Sequence, residues 1–322
     1  MREAGSVNRC LVTGAAGFIG SHLCDALLRA GYPTVGVDCF TDYYDPIRKR
    51  ANLEPARSRG LRVVEADLAT ASLDALVADA EVVFHLAGQP GVRTSWGGFE
   101  LYTTRNLVAT QRLLEACTHG GVGRFVFASS SSVYGGTAEG SLPETAPRSP
   151  ISPYGLTKAA CEDLIDVYRR GRGLSAVSLR YFTVYGPRQR PEMAFAQFID
   201  RIAEGVPITV FGDGHQRRDF TYVGDAVAAT IAAAEHGERP SYNVSGGETA
   251  TLLEAITEIE RAVGRTATVR FAEAARGDAR HTRADLTAAV ADLGYRPTMG
   301  LADGIAQQVG YSLRGGLGRM AA

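Results

Sequence analysis

Three things are scarce in this sequence of 322 residues: cysteine, an excess of either charge, and long apolar runs. The five cysteines, Cys10, Cys24, Cys39, Cys117 and Cys161, are scattered and form no Cys-x-x-Cys pair. That argues against a disulfide framework and points to free thiols in a reducing compartment. The 34 Lys and Arg offset 35 Asp and Glu to a net charge of −1. No global charge therefore attracts nucleic acid or an anionic membrane. The most apolar stretch, Ala226 to Ala234, falls well short of the roughly 20 residues that cross a bilayer. The six histidines show no metal-ligand spacing, so no metal is expected. The opening MREAGSVNR lacks the apolar run of a secretory signal, and a cytoplasmic protein is expected.

What is present is ample core material, 45% hydrophobic residues, in a length that suits about two units. Apolar strand-like runs, Arg9–Val12, Thr34–Val37, Arg62–Glu65, Val82–Leu86, Arg124–Ala128 and Ala176–Arg180, come first. Helical patterns at Ser21–Arg29, Ala71–Ala80, Tyr102–Cys117 and Tyr154–Arg170 separate them. This alternation predicts an α/β fold, a Rossmann-type doubly wound parallel sheet. After Thr183 the rhythm changes, with helices over 194–204, 223–235 and 252–263 and short strands over 208–211, 242–244 and 268–271. A smaller, interleaved α/β substrate lobe is expected there. The predicted division is 7–183 plus 219–246 for a dinucleotide-binding domain, 184–218 plus 247–313 for the lobe, and 314–322 as a flexible tail.

The run Gly14-Ala15-Ala16-Gly17-Phe18-Ile19-Gly20 lies between the first strand and the first helix. Gly14 permits the tight turn, Gly17 lets backbone N–H groups approach a pyrophosphate, and Gly20 lets helix and strand pack closely. The helix N-terminus adds free N–H donors and partial positive charge. Asp38 ends the second strand at the spacing where a carboxylate accepts both hydroxyls of an adenosine ribose. It would repel a 2′-phosphate, so NAD is favoured over NADP. Asp67-Leu68 and Leu86-Ala87-Gly88 follow later strands and are placed to line the same pocket.

Tyr154 and Lys158 stand at i and i+4 on a predicted helix and share one face. A free phenol, pKa ~10, is a poor base at neutral pH, and a cation one turn away favours its anion. The serines Ser129 to Ser132 end the strand Arg124–Ala128 at the sheet edge that holds the glycine loop. Hydroxyls there stand where doubly wound sheets bind ligands.

TGAAGFIG, Asp38, Asp67-Leu68, HLAGQ, FASSSSVYG, YGLTK, LRYFTVYGP, FGDGHQRRDFTYVGD and YNVSGG run in order over roughly residues 8 to 313. Together they resemble the extended short-chain dehydrogenase/reductase family, the NAD-dependent sugar-nucleotide epimerases and dehydratases. The resemblance implies an enzyme that oxidises a sugar carbon with bound NAD. It implies that Ser130 and Tyr154 contact the hydroxyl being oxidised, and that Lys158 holds the nicotinamide ribose. It adds Phe18, Ile19, Ser129 and Tyr181 to the cofactor contacts. Three stretches are similar to the UDP-glucuronate 4-epimerase subgroup: FTDYYDP with KRANL, Gln89-Pro90-Gly91-Val92-Arg93, and RYFTVYGPRQRPEMA.

Chemistry discriminates further. Related dehydratases place an Asp-Glu pair before Val-Tyr-Gly, and decarboxylases place a Glu at its second position. Here Ser131 and Ser132 stand there, and neither is an acid or base at neutral pH. The expected reaction is C4 epimerisation of UDP-glucuronate to UDP-galacturonate, through a 4-keto sugar that turns over before hydride returns. Ser131, Ser132 and Thr183 are candidates to hold the sugar carboxylate against decarboxylation. Gln89 and Arg93 belong to the substrate loop. Arg190, Arg218 and Arg276 are candidates for the diphosphate, and Asp278 for the uridine ribose. Other readings stay open: a UDP-glucose/galactose 4-epimerase, another nucleotide-sugar epimerase, a decarboxylating relative, or a non-catalytic NAD-binding sensor. The family resemblance also implies a homodimer built on helices near Tyr102–Cys117 and Tyr154–Arg170.

Overall fold

The computed structural model describes residues 9–136, 140–274, 277 and 279–317. Six strands arise in the first part of the chain: β1 (Cys10–Thr13), β2 (Thr34–Asp38), β3 (Arg62–Glu65), β4 (Val82–His85), β5 (Arg124–Ser130) and β6 (Ala176–Tyr181). A seventh, Ser241–Val244, pairs in parallel with β6. The sheet order is Ser241–Val244, β6, β5, β4, β1, β2, β3. β1 lies between β2 and β4, so the winding reverses there and the loops beyond its carboxyl end part into a crevice. This is the Rossmann-type sheet expected from the sequence.

The central strands are apolar on both faces because helices cover both. Leu11, Val83, Phe125 and Phe127 pack on one side with α3 (Asp74–Val77), α5 (Ala109–His119) and α6 (Pro153–Arg172). Val12, Phe84 and Val126 pack on the other with α1 (Phe18–Arg29), α2 (Pro46–Arg57) and the helix Val223–His236. Each large side chain buried this way contributes roughly 1.5–3 kcal/mol. A separate core joins Phe198 and Ile202 of Ala194–Glu204, Ile208 and Val210 of Ile208–Phe211, Ile256 and Ile259 of Leu252–Val263, and Ile305 and Val309 of Leu301–Leu317. Among the described residues no helix is long and apolar enough to cross a membrane.

Several elements differ from expectation. The helix expected over 102–117 begins earlier, as α4 (Phe99–Tyr102), and passes through a π-helical stretch, Thr103–Val108, before α5. The widened turn carries Asn106, which is 2% exposed. The helix expected over 71–80 shortens to α3. α2 was not expected, because its buried positions, Lys49, Asn52, Leu53 and Ala56, are half polar. The start signal was in the sequence: Asp45 accepts from the Ile47 N–H at 2.8 Å, and Pro46 takes the first helical position. Assigning all of 247–313 to the second lobe needs correction. Helix Thr287–Leu293 places Ala288, Ala289 and Leu293 in the core of the sheet. The tail expected from 314 starts inside a helix, since Leu301–Leu317 continues through it, and 318–322 lie outside the described residues.

Asp219 marks one crossing between the two cores. It ends the strand Arg217–Asp219, is fully buried, and accepts from the Ala284 N–H at 3.0 Å. Burial pushes its pKa from 3.8 up to about 6, against the opposing pull of nearby N–H groups and the Ser245 hydroxyl. Between those values the folded chain holds a proton that the unfolded chain has released, so this group favours folding more as pH falls. Asp219→Asn removes that term. Urea denaturation is expected to show the wild type gaining about 2 kcal/mol relative to Asp219→Asn on going from about pH 7.5 to 4.5. An unchanged difference contradicts the assignment.

Candidate functional site

β1 delivers the chain into the crevice at Thr13, and two of the glycines that follow, Gly14 and Gly20, have no room for a side chain. Gly14 has φ +68°, and a Cβ there would stand 2.7 Å from the Ala87 nitrogen. A Cβ on Gly20 would stand 2.1 Å from the Gly14 carbonyl oxygen. The glycine loop therefore packs directly on its own helix and on the main chain beyond β4. α1 begins at Gly17 with no side-chain cap, which leaves its first-turn N–H groups for another acceptor.

The Asp38 carboxylate ties β2 to this loop. Its Oδ2 accepts from the Ala16 N–H at 3.0 Å and its Oδ1 from the Phe40 N–H at 2.9 Å. Burial raises its pKa, and those N–H groups and Lys49 oppose the rise. Lys49 donates to the Thr41 carbonyl at 2.7 Å and lies 4.7 Å from the Tyr44 ring centroid. Asp67 Oδ1 accepts from the Ala69 N–H at 2.9 Å. His85 is fully buried between Thr13 Oγ1 at 2.8 Å and Thr110 Oγ1 at 2.9 Å. Burial, and secondly Lys158, push its pKa down to about 3. It is a neutral structural side chain.

Ser152 caps α6 by accepting from the Gly155 N–H at 3.1 Å, which sets Tyr154 in the first turn and Lys158 one turn on. A Cβ on Gly155 would stand 2.5 Å from the Ser132 carbonyl oxygen, so this first turn rests on the serine segment. Lys158 is 6% exposed, donates to the Ala128 carbonyl at 2.8 Å and lies 4.6 Å from the Phe127 ring centroid. The Tyr154 ring meets Tyr102 edge-on at 6.3 Å.

One cleft, about 1210 Å³ of empty space, collects these groups. Gly14, Gly17, Phe18, Ile19, Gly20, Asp38, Asp67, Leu68, Leu86, Ala87, Gly88, Ser129, Tyr154, Lys158 and Tyr181 all line it. Two hydroxyls point elsewhere: Ser129 Oγ donates to Glu162 at 2.5 Å, and the Tyr181 hydroxyl pairs with Thr230 at 2.7 Å. Of the expected sugar-nucleotide residues, Gln89 and Arg190 line the same cleft. Arg190 also pairs with Glu192 at 2.6 Å.

The other described ones are not among its lining residues. Ser130 Oγ accepts from the Ser132 N–H at 3.1 Å and caps the short 3₁₀ turn Ser131–Tyr134. Thr183 is half-buried, and its carbonyl accepts from the Thr221 N–H at 3.0 Å. The Arg93 guanidinium stacks on Phe211 at 4.2 Å, joining the loop beyond β4 to the strand Ile208–Phe211. Arg218 donates to the Arg280 carbonyl at 3.2 Å. Arg276 and Asp278 lie outside the described residues.

Sequence reasoning missed part of the wall. Thr41, Tyr43, Tyr44, Lys49 and Arg105 line the cleft. The first four belong to the stretch around Asp45-Pro46, whose helix-start signal could have placed them. Asn106 also went unnoticed. It accepts from the Gln89 N–H at 2.6 Å and donates to Thr157 Oγ1 at 3.0 Å, joining the loop beyond β4 to α6. A lone Asn in a helical pattern carries no such signal.

Residues 10–245 match the NAD dependent epimerase/dehydratase family. The chain belongs to that family. Its relatives include an uncharacterized UDP-glucose epimerase of Bacillus subtilis, YtcB, 43% identical over 310 residues, covering 94% of this chain and 97% of the relative. The UDP-glucuronate 4-epimerase of Thermodesulfobacterium geofontis is 35% identical over 307 residues, covering 94% and 95%. The crystal structure of a Bacillus cereus UDP-glucuronic acid 4-epimerase with UDP-glucuronic acid and NAD superposes with TM-score 0.91 at 43% identity, covering 95% and 99%.

NAD is the family's cofactor, and this cleft fits it on three counts. The glycine cradle admits no Cβ at Gly14 or Gly20, the N-terminus of α1 has no side-chain cap, and the half-buried Asp38 accepts from the glycine loop. Gly20→Ala drives a methyl into the Gly14 carbonyl. The purified variant is expected to carry at least about tenfold less NAD than wild type, measured after acid release, with its helix content preserved. Full NAD occupancy would show that this close approach is not needed.

Proposed function

We propose that this chain interconverts UDP-glucuronate and UDP-galacturonate as an NAD-dependent 4-epimerase. One observation carries the reading: Tyr154 and Lys158 stand on the wall of the cleft formed by the glycine loop and Asp38, while Ser131 and Ser132 occupy the positions where dehydratases and decarboxylases carry acids. The similarity to UDP-glucuronate 4-epimerases supports the substrate.

The roles are as follows. Tyr154, as its phenolate, takes the proton of the C4 hydroxyl to become the phenol, and returns it to the oxygen once the sugar has turned over. The buried ammonium of Lys158, held by the Ala128 carbonyl, stabilises negative charge on that side of the cleft. Ser130 contacts the same hydroxyl. Bound NAD supplies the acceptor for the C4 hydride and the donor for its return. The ketone formed in between is a β-keto acid, and it loses carbon dioxide only when the breaking bond aligns with the carbonyl π system. Ser131, Ser132 and Thr183 hold the carboxylate away from that alignment. Gln89 and Arg93 position the sugar nucleotide, and Arg190, Arg218 and Arg276 bind the diphosphate. Asp278 accepts from the uridine ribose.

The cofactor part comprises 7–183 plus 219–246, joined by Thr287–Leu293, and the remainder of 184–218 plus 247–313 binds the nucleotide sugar. The protein is a cytoplasmic homodimer. Its cysteines are free. Leu101 and Val108 on one helical stretch and Leu156 and Val167 on α6 are 41–56% exposed, an apolar surface suited to a second copy.

Incubation with UDP-glucuronate and no added NAD is expected to yield UDP-galacturonate. UDP-xylose or a 4-keto pentose would overturn the clamp, and turnover of UDP-glucose alone would transfer the assignment to that sugar. Light scattering is expected to give twice the chain mass, and Leu156→Arg with Val167→Arg the single chain mass. A wild-type monomer would refute the dimer.

A further inference from the structure

The serine segment between β5 and α6 is suspended from one buried ion pair. Glu162, on α6, is 7% exposed and lies two turns beyond Tyr154 and one beyond Lys158, on the same helix face. Its main counter-ion is Arg180 on β6, whose Nη2 donates to Oε2 at 2.7 Å and whose Nε donates to Oε1 at 3.0 Å, and the more exposed Arg148 stands 3.6 Å from Oε2. Both side chains of the Glu162–Arg180 pair are 6% exposed. The pair reaches both ends of the segment. Glu162 Oε1 accepts from Ser129 Oγ at 2.5 Å, and Arg180 Nη1 donates to the Tyr134 hydroxyl at 2.7 Å. Tyr134 in turn donates to Asn243 Oδ1 at 2.8 Å. Ser130, Ser131 and Ser132 hang between these two anchors, against the helix turn that carries Tyr154.

A buried ion pair adds little net stability over apolar residues of the same volume, so its presence here calls for another reason, and the bonds to Ser129 and Tyr134 supply one. Phe125 and Phe127 face α6 through an apolar core, and Ser129, next on that face, breaks the apolar pattern and turns its hydroxyl to Glu162.

We propose that Glu162 and Arg180 are positioning residues for the epimerisation, setting the Ser129–Tyr134 segment so that Ser130 and Tyr154 converge on one sugar hydroxyl. This rests on the epimerase reading above. Neither side chain touches substrate; they act through Ser129 and Tyr134.

Glu162→Gln would leave the Arg180 charge uncompensated in the interior and risks unfolding, so the test uses the two hydroxyl anchors. Ser129→Ala and Tyr134→Phe each release one end of the segment and leave the ion pair intact. In the NAD-loaded enzyme each variant is expected to lower kcat about tenfold, with KM for the UDP-sugar within about twofold. Tyr134→Phe, which does not line the cofactor cleft, is expected to keep its NAD content. Each variant gives up a buried hydrogen bond and is expected to lower the thermal midpoint by about 5 °C at most, so kcat is taken per folded, NAD-loaded chain. Unchanged kcat in both variants overturns the positioning role. So does a loss of activity that vanishes once it is taken per folded, NAD-loaded chain, which would make the pair purely structural. An active wild type with unaffected variants refutes this inference alone. A wild type that epimerises no UDP-sugar refutes the functional reading and the positioning role together.

Discussion

No side chain fits between Gly14, Gly20 and the main chain of Ala87, and the rest of the site depends on that close approach. It brings the N-terminus of α1 and the loop beyond β4 to the same point, where the winding of the sheet reverses. Asp38 completes the junction by accepting from the glycine loop, so the groups suited to phosphate and to ribose are fixed by the same contacts. The cofactor cleft is thus a product of backbone packing, with one carboxylate, Asp38, at its edge.

The second half of the site is arranged by buried polar groups. Lys158 is held by a strand carbonyl, Ser129 by Glu162, and the loop beyond β4 by Asn106. Each bond ties an element bearing a reactive group to a neighbouring strand or helix. In a chain of net charge −1, anion binding has to be local. The positive groups along the cleft include the uncapped N-terminus of α1, Lys49, Arg105, Lys158 and Arg190.

Much of this was legible in the residues alone. Apolar runs and helical spacing located the six strands of the first part, and the glycines, Asp38, Tyr154 and Lys158 fell in one cleft because their roles are encoded locally. Less legible were features that arise only from tertiary pairing. The inward Asn106 and the Glu162–Arg180 pair join separate elements, and the π-helical stretch at Thr103–Val108 that carries Asn106 interrupts an otherwise helical pattern. α2 escaped notice because half its buried face is polar, although Asp45-Pro46 marked its start. The candidate clamp residues Ser131, Ser132 and Thr183 do not line the cofactor cleft. Their proposed role belongs to the sugar, whose contacts a cofactor motif does not specify.

The central claim is that C4 is oxidised and reduced inside a single bound complex, with the same hydride leaving and returning. UDP-glucuronate carrying deuterium at C4 tests this directly, by mass and NMR analysis of the product made in ordinary water. The account predicts UDP-galacturonate that retains its deuterium at C4. Replacement of that deuterium by solvent hydrogen would contradict it, because inversion would then proceed by loss and gain of a proton at carbon.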